Sequence, residues 1–205
     1  MKIHRLFLTL LGCVALLSVA RADTATDDPV VMLRAGVDEG LAIAYDTQST
    51  TPLADRIRPS LEKYFTFEGI TRRAVGPGWR QFSAEEKTKA TQLFSDLVIR
   101  TYANKFEPGP RPVISFGKTI IPDSTRPNLR ELPTTITYEG KAYSVSYRVE
   151  QVNGTWKVYD MNIEGVSMIA NWRAQLDPIF QKGGVKAVIS ALEKNIPLAT
   201  PELKK

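Results

Sequence analysis

The chain has 205 residues, 43% hydrophobic, 9% aromatic and 24% charged, with 27 basic and 22 acidic side chains, one His and one Cys. That is enough for a single domain with a substantial core. The formal charge of +5 invites a nucleic-acid reading, but the basic residues form no stripe and the aromatics do not interleave with them, so a base-stacking platform is excluded.

At the N-terminus Lys2, His4 and Arg5 precede an apolar run from Leu6 to Val19, and Ala20-Arg21-Ala22 sets small residues at the first and third positions before a cut. This is the pattern of a secretory signal peptide over 1–22, and the run is shorter than the roughly 20 apolar residues of a spanning helix. Cleavage after Ala22 leaves one domain, 23–205, with 24 basic against 22 acidic side chains and a formal charge of +2. It also removes His4 and Cys13, the only residues of their types. A domain without either cannot use Ser-His-Asp or Cys-His nucleophiles, disulfides or thiolate-imidazole zinc sites. The alternative is a lipoprotein box, Leu10-Leu11-Gly12-Cys13, which would leave only Leu6 to Leu11 as the apolar region.

Helices come first in the mature chain. Asp28 before Pro29 is a cap followed by a first-turn proline, and Val30, Leu33, Val37, Leu41 and Ala44 recur at helical spacing. Thr51-Pro52 opens a second helix that Pro59 interrupts or restarts, and Gly76-Pro77-Gly78 marks a turn. Ser83 with Glu86 is a capping box opening a helix from about Ala84 to Lys105, whose buried face carries Phe94, Val98 and Tyr102.

Six of the thirteen prolines fall between Pro108 and Pro133, where only Val113 to Ile121 suits a strand, at a sheet edge. Strands over Thr134 to Tyr138, Lys141 to Glu150 and Thr155 to Ile163 are joined at Glu139-Gly140 and Asn153-Gly154. Alternation puts Tyr143, Val145, Tyr147 and Val149 on one face. In the last strand Trp156 and Val158 share a face with Asp160, whereas Tyr159, Met161 and Ile163 take the other. That switch predicts a strand buried on both sides, with a bulge as the alternative. Ser167 caps a further helix ending at Gly183-Gly184, and a final amphipathic helix runs to Asn195 and Pro197. Helices, antiparallel sheet, helices is an α+β order in one domain.

No phosphate loop, dinucleotide fingerprint, HExxH or calcium loop is present. Asp160 is the one carboxylate that alternation turns toward an apolar interior. With Tyr147 as proton donor it could form an acid-base pair in a small-molecule enzyme; otherwise it pairs with an Arg or caps backbone.

The segment 154–172, GTWKVYDMNIEGVSMIANW, resembles the MlaC family, also called toluene-tolerance proteins, in its Trp-containing strand ending in Tyr-Asp and its Glu-Gly-Val-Ser turn into a helix. The segment 67–87 and Arg100-Thr101-Tyr102-Ala103 are similar to it as well, whereas the proline-rich stretch 105–133 is longer than the family's and Thr66 stands where many members have an acid. The resemblance implies a mixed, mostly antiparallel twisted sheet of cystatin or nuclear-transport-factor type, packed with helices around an apolar pocket. It implies a monomeric, non-enzymatic periplasmic carrier with bound phospholipid as cargo, no cofactor, metal or nucleic acid, and two partners: an outer-membrane lipoprotein complex and an inner-membrane ABC transporter complex. Carried over residue by residue, Val166, Met168 and Ile169 line the pocket. Facing adds Tyr147, Val149 and Val158 on the sheet and Phe94, Val98 and Tyr102 on the long helix. A hopanoid or sterol is the alternative cargo. Arg72, Arg73, Arg80 and Lys182 are candidates for a headgroup phosphate, and equally for solvated surface. At about 0.8 kcal/mol per methylene, two acyl chains represent roughly 24 kcal/mol of burial as an upper bound. A bilayer offers nearly the same, so transfer between membrane and pocket needs no catalytic group.

Overall fold

The computed structural model describes residues 28–104, 106–107 and 109–194. The expected signal segment, with His4 and Cys13, lies outside the described residues, as do Asn195 and Pro197.

The N-terminal helices begin where their caps place them. Asp28 is extended, its carboxylate accepts from Val30 N at 2.8 Å, and Pro29 opens helix α1 (Pro29–Ala44) at a position where no amide is needed. Helix α2 (Leu53–Tyr64) carries Pro59 inside it, so that proline neither ends nor restarts the helix. Phe65 and Thr66 separate it from α3 (Phe67–Val75), where the Thr66 hydroxyl accepts from Gly69 N at 3.2 Å. A 3-10 turn, Gly76–Gln81, leads to α4 (Ala84–Ala103). Both halves of the capping box form there: Glu86 N donates to Ser83 Oγ at 3.1 Å and Ser83 N donates to Glu86 Oε2 at 2.8 Å.

Five strands follow: β1 (Val113–Phe116), β2 (Leu129–Tyr138), β3 (Lys141–Val152), β4 (Thr155–Ile163) and β5 (Val166–Ser167), neighbours in that order and all antiparallel. Three two-residue turns, Glu139-Gly140, Asn153-Gly154 and Glu164-Gly165, have positive φ at both positions, the geometry that matches the twist of a hairpin. Three strand limits differ from the sequence expectation, the smallest being β3, which runs on to Val152 past Glu150. β2 starts at Leu129, not Thr134, because Pro133 lies one residue past the last partner of β1 and its carbonyl still accepts from Gly117 N at 2.8 Å. β1 stops at Phe116, and Ile120 makes only an isolated bridge to Glu131.

The mid-strand switch in β4 is a β-bulge rather than a strand buried on both sides. Asp160 pairs with Arg148 and Val158 with Val149, so Tyr159 is the extra residue. Beyond it the alternation is reset: Met161 stands opposite Tyr147 and Ile163 opposite Val145. Val158, Met161 and Ile163 thereby share one face with Val145, Tyr147 and Val149, and Asp160 moves to the other face with Arg148.

Helix α5 (Met168–Glu193) is capped by Ser167, whose hydroxyl accepts from Ala170 N at 3.1 Å. It is broken at Gly183 and Gly184, where Gly184 has φ 60° and ψ −150°, as the Gly-Gly pair predicts. The buried apolar residues form two clusters. One joins α3, α4 and α5 through Ile70, Phe94, Trp172 and Leu176. The other joins α1 and α2 to the sheet through Leu33, Tyr64, Leu132, Tyr147 and Val158. Phe65, Met161 and Ile163 touch both.

Candidate functional site

Between these two clusters lies an apolar cavity of about 430 Å³, within the roughly 300–1,000 Å³ usual for small-molecule sites. Its walls come from α1, α2, α3 and α4, from Ile114 on β1, from β3 and β4, and from Met168 and Trp172 at the start of α5. On α1 the wall is thinned by Gly36 and Gly40. A methyl built on Gly36 would sit 2.9 Å from Tyr64 Cγ, whereas one on Gly40 would meet nothing within 4 Å. Helix α1 can therefore lie close against α2 at one turn and leave open space at the next.

Few polar groups line this space. Burial pushes the Tyr147 and Tyr102 phenols up to about 12, because the phenolate would lose its water. Tyr102 donates weakly to Met168 Sδ at 3.6 Å, and Tyr64 donates to Glu39 Oε2 at 2.9 Å. Tyr159 at the bulge packs under Arg73, whose guanidinium carbon is 3.9 Å from its ring centroid. Burial raises the Tyr159 pKa, and the charge of Arg73 opposes that rise. Arg73 also donates to both carboxylate oxygens of Glu150, at 2.9 and 2.6 Å, tying α3 to β3.

Asp160 also borders the cavity, but its carboxylate is occupied. It accepts from Arg148 Nη1 at 3.2 Å, Ser167 Oγ at 2.7 Å and Ile169 N at 3.0 Å, with 3% of its side chain exposed. The bulge has turned it away from the face of Tyr147, so the acid-base pair drawn from alternation does not form; the reading in which it pairs with an Arg and caps backbone does. Among the described residues there is no group of three or more His, Cys, Asp or Glu placed to hold a metal ion.

Of the nine residues singled out from sequence, Tyr147, Val158, Val98, Tyr102 and Met168 line the cavity. Four are placed elsewhere. Phe94 is fully buried in the helical cluster, edge-on to Trp172 at 5.3 Å. Val149 is fully buried in the sheet cluster, and Ile169 is buried with its amide on Asp160. Val166 is on β5, 38% exposed and outside the lining. Residue-wise carry-over follows sequence position, and β5 holds Val166 at the sheet edge rather than at the cavity wall. None of Arg72, Arg73, Arg80 and Lys182 reaches the cavity. The α1 and α2 wall was missed from sequence, although Gly36 and Gly40 one turn apart on an otherwise apolar face were a signal that this helix borders a space.

The family model described as MlaC protein matches residues 37–194. A curated relative, the intermembrane phospholipid transport system binding protein MlaC of Haemophilus influenzae, is 25% identical over 186 residues, covering 86% of each chain. Among solved structures, the phospholipid-binding protein from Ralstonia solanacearum in complex with a phospholipid superposes with a TM-score of 0.72 at 24% identity, over 82% of this chain and 96% of that one. With the family model spanning most of its length, from within α1 to the end of α5, this chain belongs to the MlaC family.

Proposed function

We propose that the protein is a soluble periplasmic phospholipid carrier whose acyl chains occupy the cavity between the helical and sheet clusters. The observation that carries the reading is the cavity itself: an almost wholly apolar space of about 430 Å³, in a chain of the MlaC family. The phospholipid in the related Ralstonia protein and the transport role in the Haemophilus relative's name support the same cargo. Such a carrier moves lipid between outer and inner membranes, receiving from or delivering to an outer-membrane lipoprotein complex and an inner-membrane ABC transporter complex. It works as a monomer and without a cofactor. Tyr147, Val158, Val98, Tyr102 and Met168 contact the chains.

The chemistry needed is exclusion of water rather than bond-making. Because bilayer and cavity offer an acyl chain similar surroundings, the two transfers nearly cancel and direction is set by the partners. A carboxylate in the wall upsets that balance, since a charge has no counterpart in an apolar space. Val98→Glu is expected to lower the lipid recovered by native mass spectrometry at least about tenfold, the equivalent of about 1.4 kcal/mol, with the circular dichroism spectrum of the folded protein retained. Full occupancy in that variant overturns the cavity as the cargo site. Val166→Glu, outside the lining, is the comparison: equal loss of lipid there would place cargo at the β4–β5 turn instead.

A further inference from the structure

A second recess lies on the outer side of the same helices, a groove of about 960 Å³ between α2, the start of α3 and α4. Phe65 and Phe67 line both this groove and the apolar cavity. Their rings are stacked, with centroids 6.3 Å apart and planes at 22°. The backbone beneath them is held: Phe65 N donates to Leu61 O at 2.8 Å and Thr66 N to Val158 O at 2.9 Å. What divides the two spaces here is thus a pair of aromatic side chains on a fixed backbone, and such side chains can change rotamer without any helix moving.

The groove differs chemically from the cavity. Seven charged side chains line it. Three of them satisfy one another: Arg58 bridges α2 to α4 through Asp96 at 2.6 Å and reaches Glu62 at 3.9 Å. The other four, Lys87 and Arg100 on α4, Asp55 on α2 and Glu68 on α3, make no ion pair among the described residues. Two uncommitted cations and two uncommitted anions therefore face one recess. Beneath it, the Thr91 hydroxyl is buried with no hydrogen-bond partner among the described residues, a donor that an added oxygen would satisfy.

An apolar cavity sharing an aromatic wall with a recess that offers both signs of charge is the complement of an amphipathic zwitterion. We propose that the groove receives the headgroup of a zwitterionic phospholipid, its phosphodiester against Lys87 and Arg100 and its ammonium against Asp55 and Glu68, while the chains of the same molecule pass Phe65 and Phe67 into the cavity. The proposal rests on the carrier reading and adds a headgroup preference to it. An anionic headgroup without an amine would satisfy the two cations and leave the two carboxylates facing like charge.

The test is competitive uptake from vesicles containing equal amounts of phosphatidylethanolamine and phosphatidylglycerol with identical chains, read by native mass spectrometry of the full-length protein. Exposed charge contacts of this kind are worth a few-fold each, so the wild type is expected to be enriched about fivefold in phosphatidylethanolamine. Asp55→Asn with Glu68→Gln brings the cargo to the vesicle composition, and Lys87→Ala with Arg100→Ala lowers uptake of both lipids. Among the described residues none of these side chains is ion-paired, so the variants keep the fold. The same cargo composition in the wild type and in the Asp55→Asn, Glu68→Gln protein overturns the headgroup site and leaves the carrier reading standing. A wild type that acquires neither lipid overturns the carrier reading itself.

Discussion

Gly36 and Gly40 sit one turn apart on α1, and their surroundings send the same substitution in opposite directions. At Gly40 an added methyl meets open space, and alanine is favoured over glycine in a helix interior by about 1 kcal/mol. Gly40→Ala is therefore expected to raise the melting temperature by a few degrees. At Gly36 the methyl would lie 2.9 Å from the Tyr64 ring, which is itself tied to Glu39. Overpacking there outweighs the helix preference, and Gly36→Ala should destabilise by about 1–2 kcal/mol. Thermal melts of the two variants check both signs. Asp160 shows the same dependence on surroundings. The sequence reading left it between catalytic base and structural partner, and Arg148, Ser167 and the Ile169 amide decide for the second.

Among the elements, β4 shows best how one residue assigns a face. Were Tyr159 paired regularly instead of bulged, strict alternation would send Met161 and Ile163 away from Tyr147 and Val145. Deleting Tyr159 leaves Val158, Asp160 and Met161 on their present partners in a regular strand and should keep the cooperative melt followed by near-ultraviolet circular dichroism. One alanine inserted between Asp160 and Met161, by contrast, flips both apolar residues and should cost more than about 2 kcal/mol of burial. Tyr159→Ala keeps the bulge and loses mainly the contact with Arg73, about 0.5–1 kcal/mol, so it should remain folded. The apolar pattern of Trp156 to Ile163 recorded that a switch occurs, but a two-sided strand and a bulge leave the same pattern, and only the pairing with β3 separates them. The helix starts at Asp28, Ser83 and Ser167 were legible because each cap is a local hydrogen bond within three residues. The β2 start was not, because Pro133 is tolerated only through where β1 ends.

For the molecule as a whole, the dry wall of the cavity links pH to stability. The Tyr147 phenol ionises near 10 in an unfolded chain and at about 12 in the folded protein. Below pH 10 both states keep the proton and its contribution is complete. As the pH rises from 10 to 12 the unfolded chain releases a proton that the folded one retains, and stability falls by about 3 kcal/mol. Urea titrations across this range should show that loss, and Tyr147→Phe should flatten it. Tyr102, raised for the same reason, adds to the fall in the same direction.

By itself the sequence determined the helix starts at Asp28, Ser83 and Ser167, the hairpin turns at Glu139-Gly140 and Asn153-Gly154, the α+β order and the family, since these rest on contacts between near neighbours and on short motifs such as Glu164-Gly165-Val166-Ser167. It also supplied five of the cavity's lining residues, Tyr147, Val158, Val98 and Tyr102 from the facing of a regular period and Met168 from the family resemblance. Only the tertiary structure decided that the two clusters stay apart, that α1 and α2 close the space between them, that Val166 stays outside it, and that Phe65 and Phe67 divide it from a charged groove. The physical reason is that a cavity is a place where packing stops, and periodicity records which side of an element is apolar but not whether anything fills the space beside it.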